Sequence, residues 1–246
     1  MGFIISLINR LFYNFTGGGR GICLATGLIG TPIHELSHAV MCIVFGHKIE
    51  EMKLFQTDDE NGVLGYVYHS YNRRNIYHVI GNYFIGIAPI VVGALVLYLI
   101  MKGLIPNAYS EISSNIQSLI VLQSNGIDSD IFSYVFDVCI GAFVSIFTTD
   151  FGFKTIIFLI LCLCISLHMN LSGADVKGSL TAIPLIAILL FIVNFALYLI
   201  SASTYAVFLE AVTVAGCYLI AILTISLIFS LVLLAIGLVF KIIFRR

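Results

Sequence analysis

His34-Glu35-Leu36-Ser37-His38 is the densest grouping of chemically capable side chains in this 246-residue chain. On an α-helix, residues four apart stand one turn above each other, so His34 and His38 share a face and their imidazole nitrogens can grip one Zn²⁺. Glu35 beside them is the candidate general base. The motif lies in an apolar run from Ile22 to Gly46. Ionisable groups inside a membrane are expensive and usually face an interior cavity where they do chemistry. The competing reading, a chance motif whose histidines are merely hydrogen-bonded, is disfavoured by that same cost.

Hydrolytic zinc takes three protein ligands and keeps a fourth position open for water, so this motif supplies only two of the three. The second informative stretch runs from Ser166 to Gly178 and contains His168, Asn170 and Asp175. On one continuous helix, His168 and Asp175 would be roughly 10 Å apart along the axis. A single ion could take both only if Ser172-Gly173 bends the chain. Asp175 is the preferred third ligand, as a carboxylate at a glycine-interrupted helix end. His168 is an alternative ligand, a group behind the ligands or a donor to the transition state, and Asn170 could donate to a developing oxyanion. Glu210 and Asn194 read as interior or interfacial polar groups, and His47, His69 and His78 as structural residues in or beside the first loop. The six cysteines, Cys23, Cys42, Cys139, Cys162, Cys164 and Cys217, lie in apolar segments without CxxC spacing. They read as small core or lipid-facing residues.

The elements that position these residues follow from composition. With 60% hydrophobic residues, 10% charged residues and a mean hydropathy of +1.07, the chain reads as an all-α integral membrane protein. A formal net charge of -1 and the lack of a basic stripe exclude nucleic acid as a partner. Residues 1–15 predict an interfacial amphipathic helix, ended by the Gly17-Gly18-Gly19-Arg20-Gly21 run. Residues 22–46 predict the first span, in which Pro32 either kinks the helix or restarts it with Thr31 as N-cap. Residues 47–77 turn polar and predict a β-hairpin, Ile49 to Gln56 against Val63 to Ser70, turning at Asp58 to Gly62. Its edge could hold an extended peptide beside the metal, or the hairpin could simply cap a membrane face. Further spans are expected at 80–101, 151–171, 179–200 and 206–240. The segment 102–130 reads as a polar connector, and 131–149 as a surface or partly buried helix that would make a sixth span if it crossed. Counting Lys and Arg puts Lys48, Lys53, Arg73, Arg74, Lys177, Lys241, Arg245 and Arg246 on one side, opposite Arg10, Arg20, Lys102 and Lys154. The hairpin and C-terminus are therefore expected to be cytoplasmic.

HExxH at His34 to His38 in a membrane helix, with Asn170 to Asp175 beyond an intervening span, resembles the site-2 protease (M50) group of intramembrane zinc metalloproteases, in particular its small bacterial branch. The resemblance implies a Zn²⁺ cofactor, a bacterial cell membrane and a membrane protein or peptide as substrate. It covers the first two spans, the hairpin and the region of Asp175. The chain departs from the group's Asn-Pro-x-x-x-Asp-Gly pattern, having Leu171 in place of the proline and Val176 in place of the glycine. The expected chemistry is peptide hydrolysis at zinc held by His34, His38 and Asp175, with Glu35 as the base. Two rivals stand beside it. One is a cytoplasm-facing membrane zinc protease using a ligand such as Glu210; the other is a non-enzymatic membrane protein that binds a metal or a peptide. Oligomeric state is not written in the sequence.

Overall fold

The computed structural model describes residues 2–15, 20–57, 62–124, 131–149 and 151–243. Helices α1 (Gly2–Phe15) and α2 (Arg20–Val44) lead into a two-stranded antiparallel hairpin, β1 (Lys48–Lys53) and β2 (Tyr66–Ser70). The helices α3 (Ile76–Leu104), α4 (Pro106–Ser124), α5 (Ile131–Thr148), α6 (Phe153–His168), α7 (Gly173–Ile200) and α8 (Ala202–Ile243) follow. Among the described residues, four helices are long and apolar enough to cross a membrane: α2, α3, α7 and α8 over Ala202–Val239. The expected fold class, helical and membrane-compatible with a short hairpin after the motif helix, is the one observed. Helix α6 is apolar but has only 16 residues, short of the ~20 that a full crossing needs. Phe191, Leu199, Ile200 and Ile242 are exposed, as befits surfaces that meet lipid.

The helices divide between two compact units, and the candidate chemistry belongs entirely to the one built from Met1–Gly93, Leu161–Ile188 and Ser226–Arg246. In it, α1 buries Ile5, Ile8, Asn9 and Phe12 and exposes Ile4, Leu7 and Leu11, the stripe of an amphipathic helix. Its buried Asn9 Nδ2 donates to the carbonyls of Ser166 and Leu167 and to Asn170 Oδ1, satisfying carbonyls at the end of α6 that have no intrahelical partner. Helix α2 runs unbroken through Pro32, so the restart with Thr31 as N-cap does not occur. Helix α6 crosses α2 at Gly30, where a Cβ would come within 2.3 Å of the Cys164 carbonyl and 2.6 Å of His168. Only glycine allows this approach.

Helix α6 stops at His168, and residues 169–172 break the chain before α7 begins at Gly173. His168 and Asp175 therefore do not share a helical face. Asp175 stands in the first turn of α7 rather than at the end of the preceding helix.

Strand β1 pairs with β2 from Lys48↔Ser70 to Lys53↔Tyr66, with a bulge between Ile49 and Glu51. Gln56 extends the ladder through its amide to the Leu64 carbonyl. The turn at 58–61 lies outside the described residues, as do the glycine run at 17–19 and Arg245 and Arg246. From the end of α2 the hairpin folds back along that helix. Leu64 lies against Gly27, and Arg20 donates to the Thr57 carbonyl at 2.9 Å. With these contacts the hairpin reaches from the C-terminal end of the 25-residue α2 to its first residue, Arg20. The hairpin is thus no cap on one face, and the count that separated Arg20 from the hairpin fails at the hairpin's far end.

The second unit comprises Ala94–Ile160 and Leu189–Ile225. The segment expected to be a connector folds there as α4, because Ala108, Ile112 and Ile116, spaced by four, bury one face. Its Ser- and Asn-rich composition concealed that stripe. Tyr98 and Tyr109 share a hydrogen bond, and Ser113 pairs with Tyr218.

Candidate metal centre

His34 and His38 project from the same face of α2, and each Nδ1 is committed to a carbonyl. His34 Nδ1 donates to the His168 carbonyl at 2.6 Å, and His38 Nδ1 donates to the Ile85 carbonyl at 2.8 Å. A carbonyl can only accept, so both rings carry a proton on Nδ1, and in the neutral ring this leaves the lone pair on Nε2. The two Nε2 atoms are 3.2 Å apart. Facing lone pairs at that distance repel unless a cation lies between them. Backbone acceptors behind ligating histidines are the usual device for fixing this tautomer.

The third group comes from α7. Ser172 and Asp175 form a capping box: the Asp175 amide donates to Ser172 Oγ at 3.1 Å, and Asp175 Oδ2 accepts the Ser172 amide at 2.7 Å. The other oxygen, Oδ1, lies 3.5 Å from His38 Nε2. Donor atoms of His34, His38 and Asp175 all fall within 4.8 Å of one another. Ligands about 2.0–2.1 Å from a tetrahedral Zn²⁺ are roughly 3.3 Å apart. The observed 3.2 and 3.5 Å separations fit that spacing, as does the donor chemistry of two neutral imidazoles and one carboxylate.

Glu35 is buried next to this trio. With His34 it lines a cavity of about 210 Å³ whose walls include Thr31, Gly65, His168 and Asn170. Gly65, just before β2, closes the cavity over Glu35: a Cβ there would come within 2.8 Å of Glu35 Cγ and Thr31 Cγ2. A side chain at this position would displace the carboxylate or lift the hairpin.

The ring of His168 is held between two hydroxyls, Thr26 Oγ1 at 3.1 Å from Nε2 and Thr31 Oγ1 at 3.2 Å from Nδ1. Its carbonyl, not its ring, reaches the histidine pair. Asn170 donates from Nδ2 to the Leu167 carbonyl and accepts from Asn9, so its amide braces the break after α6. Glu210 lies exposed on α8 and belongs to neither group of metal-capable donors among the described residues. Outside the spans, burial lowers the proton affinity of His47 and His69 below the ordinary histidine range.

The structure thus brings together His34, Glu35, His38 and Asp175, with His168 and Asn170 on the cavity wall. Sequence reasoning missed the two carbonyls that orient the imidazoles, because backbone acceptors leave no trace in residue identity. It also missed the capping box, although Ser172-x-x-Asp175 carries that signature, and the hydroxyl cradle of Thr26 and Thr31.

Residues 27–136, which contain the HExxH motif, match a family described as "putative zincin peptidase". No curated protein and no solved structure matches the chain. The family match supports a zinc-dependent peptidase and does not distinguish the site-2 protease branch from other zincin types.

Proposed function

We propose that this chain is a zinc-dependent endopeptidase that cuts membrane-associated polypeptides within the bilayer, in the manner of the site-2 protease group. His34, His38 and Asp175 are the ligands in this reading and Glu35 is the general base. The observation that carries it is the convergence of two imidazole Nε2 atoms and one carboxylate oxygen within 4.8 Å of one another, with His38 Nε2 at 3.2 Å from His34 Nε2 and 3.5 Å from Asp175 Oδ1, and Glu35 on the cavity wall. When bound, zinc supplies a Lewis acid that polarises a peptide carbonyl and lowers the pKa of a water toward ~7. The chain's own residues do the rest. The carbonyls of His168 and Ile85 hold the imidazoles in their ligating tautomer. The Glu35 carboxylate accepts the proton of the attacking water and returns it to the leaving nitrogen. Gly65 and the hairpin wall the cavity on the side where an extended peptide would lie, since a helical substrate must unwind before its peptide bond is accessible. Asn170 acts by positioning the break after α6.

Depth in the membrane supports the intramembrane reading. His34 is 14 residues from the start of α2, or about 21 Å along a ~37 Å helix, which puts the site near mid-span. The cations Lys48, Arg73 and Arg74 at the hairpin base put that end of α2 in the cytoplasm in this reading. The test is cleavage of a co-expressed single-span membrane substrate. Wild type should release the fragment, and Glu35→Gln should keep its zinc while losing cleavage. Undiminished cleavage by a zinc-loaded Glu35→Gln protein would reject the assignment.

A further inference from the structure

One turn beyond His38 on the same face of α2, Cys42 meets two histidines that the site above does not use. Donor atoms of Cys42, His47 and His69 fall within 4.8 Å of one another, with Cys42 and His47 buried. The local fold makes this juxtaposition. Helix α2 ends in a Schellman turn in which the His47 amide donates to the Cys42 carbonyl at 2.8 Å and the Gly46 amide to the Ile43 carbonyl at 3.2 Å. Gly46 takes the left-handed φ of 68° that this turn demands. The turn folds His47 back over Cys42, and the register Ile49↔His69 brings in the third group from β2.

The tautomer of His47 points to a ligand. His47 Nε2 donates to the His78 carbonyl at 2.8 Å, so Nδ1 holds the lone pair, and it faces His69 Nδ1 at 3.0 Å. A carbonyl behind the distal nitrogen is how ligating histidines are oriented. The rival is a plain hydrogen bond between the two rings, which would leave Cys42 with no part to play.

We infer that Cys42, His47 and His69 form a second metal site, suited to a thiophilic divalent ion of the zinc class. One thiolate and two imidazoles are a zinc donor set. An ion there would fasten β2 to the end of α2, and so hold the strand that follows Gly65 over Glu35. The site stands whether or not the peptidase reading does, since it shares no ligand with it.

The test uses the full chain in detergent, stripped of metal and reloaded with Co²⁺ alone. Wild type should show a near-ultraviolet thiolate-to-cobalt charge-transfer band. Cys42→Ser should abolish the band and bind one cobalt fewer than wild type. His69→Ala, a half-buried strand position, should also lower uptake by one and guards against misfolding of the first variant. His34→Ala should lose the other cobalt and keep the band, which separates failure of one site from failure of the other. No thiolate band in wild type, or a cobalt complement unchanged by both Cys42→Ser and His69→Ala, overturns the inference in favour of the ring-to-ring hydrogen bond.

Discussion

Ser172 and Asp175 hold each other at the start of α7, each accepting the other's backbone amide, and this reciprocal pair leaves only Oδ1 of Asp175 free to face His38. In the proposed reading the helix cap thereby doubles as a ligand mount. Ser172→Ala removes one of the two bonds. It should cost about 0.5–2 kcal/mol of stability and weaken zinc binding on the order of tenfold, as loss of an orienting partner does. Competition with a zinc-sensitive dye measures the second effect and thermal unfolding the first; unchanged affinity would mean that the cap does not orient the carboxylate.

His168 and Asp175 were rival third ligands in the sequence, and the structure gives them different surroundings. The His168 ring lies between Thr26 and Thr31, and only its carbonyl contacts His34. His168→Ala keeps that carbonyl, so it should retain the full zinc complement with affinity lowered tenfold at most, and should reduce cleavage by distorting the cavity wall. Inductively coupled plasma analysis of the purified variant checks this. Loss of a whole zinc equivalent would make His168 a ligand after all.

Gly65→Ala tests the hairpin as an active-site wall. A methyl group would overlap Glu35 Cγ and Thr31 Cγ2 and crowd the Leu54 carbonyl at 3.0 Å, and overpacking of this kind typically costs 1–3 kcal/mol. Because the atoms nearest to such a methyl belong to Glu35, Thr31 and Leu54 and not to His34, His38 or Asp175, zinc content should hold while cleavage falls on the order of tenfold or more, the scale expected when a catalytic group is misplaced. Equal cleavage by Gly65→Ala and wild type would remove the hairpin from the site.

The sequence made part of this legible and hid the rest for physical reasons. HExxH was readable because helical periodicity alone puts His34 and His38 on one face, and the length and apolar composition that make α2, α3, α7 and α8 compatible with crossing a membrane were readable too. The hairpin was readable from period-two patterning before Ser70. The course of the hairpin was not, because its return along α2 depends on Leu64 fitting against Gly27 and on Arg20 reaching Thr57, contacts between residues about 37 positions apart. Asp175 could be nominated but not placed, since the break at 169–172 is stabilised from outside by Asn9 on α1. Cys42 looked inert because its partners come from a turn and a strand, so no CxxC spacing announces them.

The direct test of the whole account is zinc content per chain in Asp175→Ala and Glu210→Ala beside wild type, each purified under identical conditions. The account predicts that Asp175→Ala lacks one zinc equivalent present in wild type and that Glu210→Ala lacks none. A full complement in Asp175→Ala, or a missing equivalent in Glu210→Ala, contradicts it.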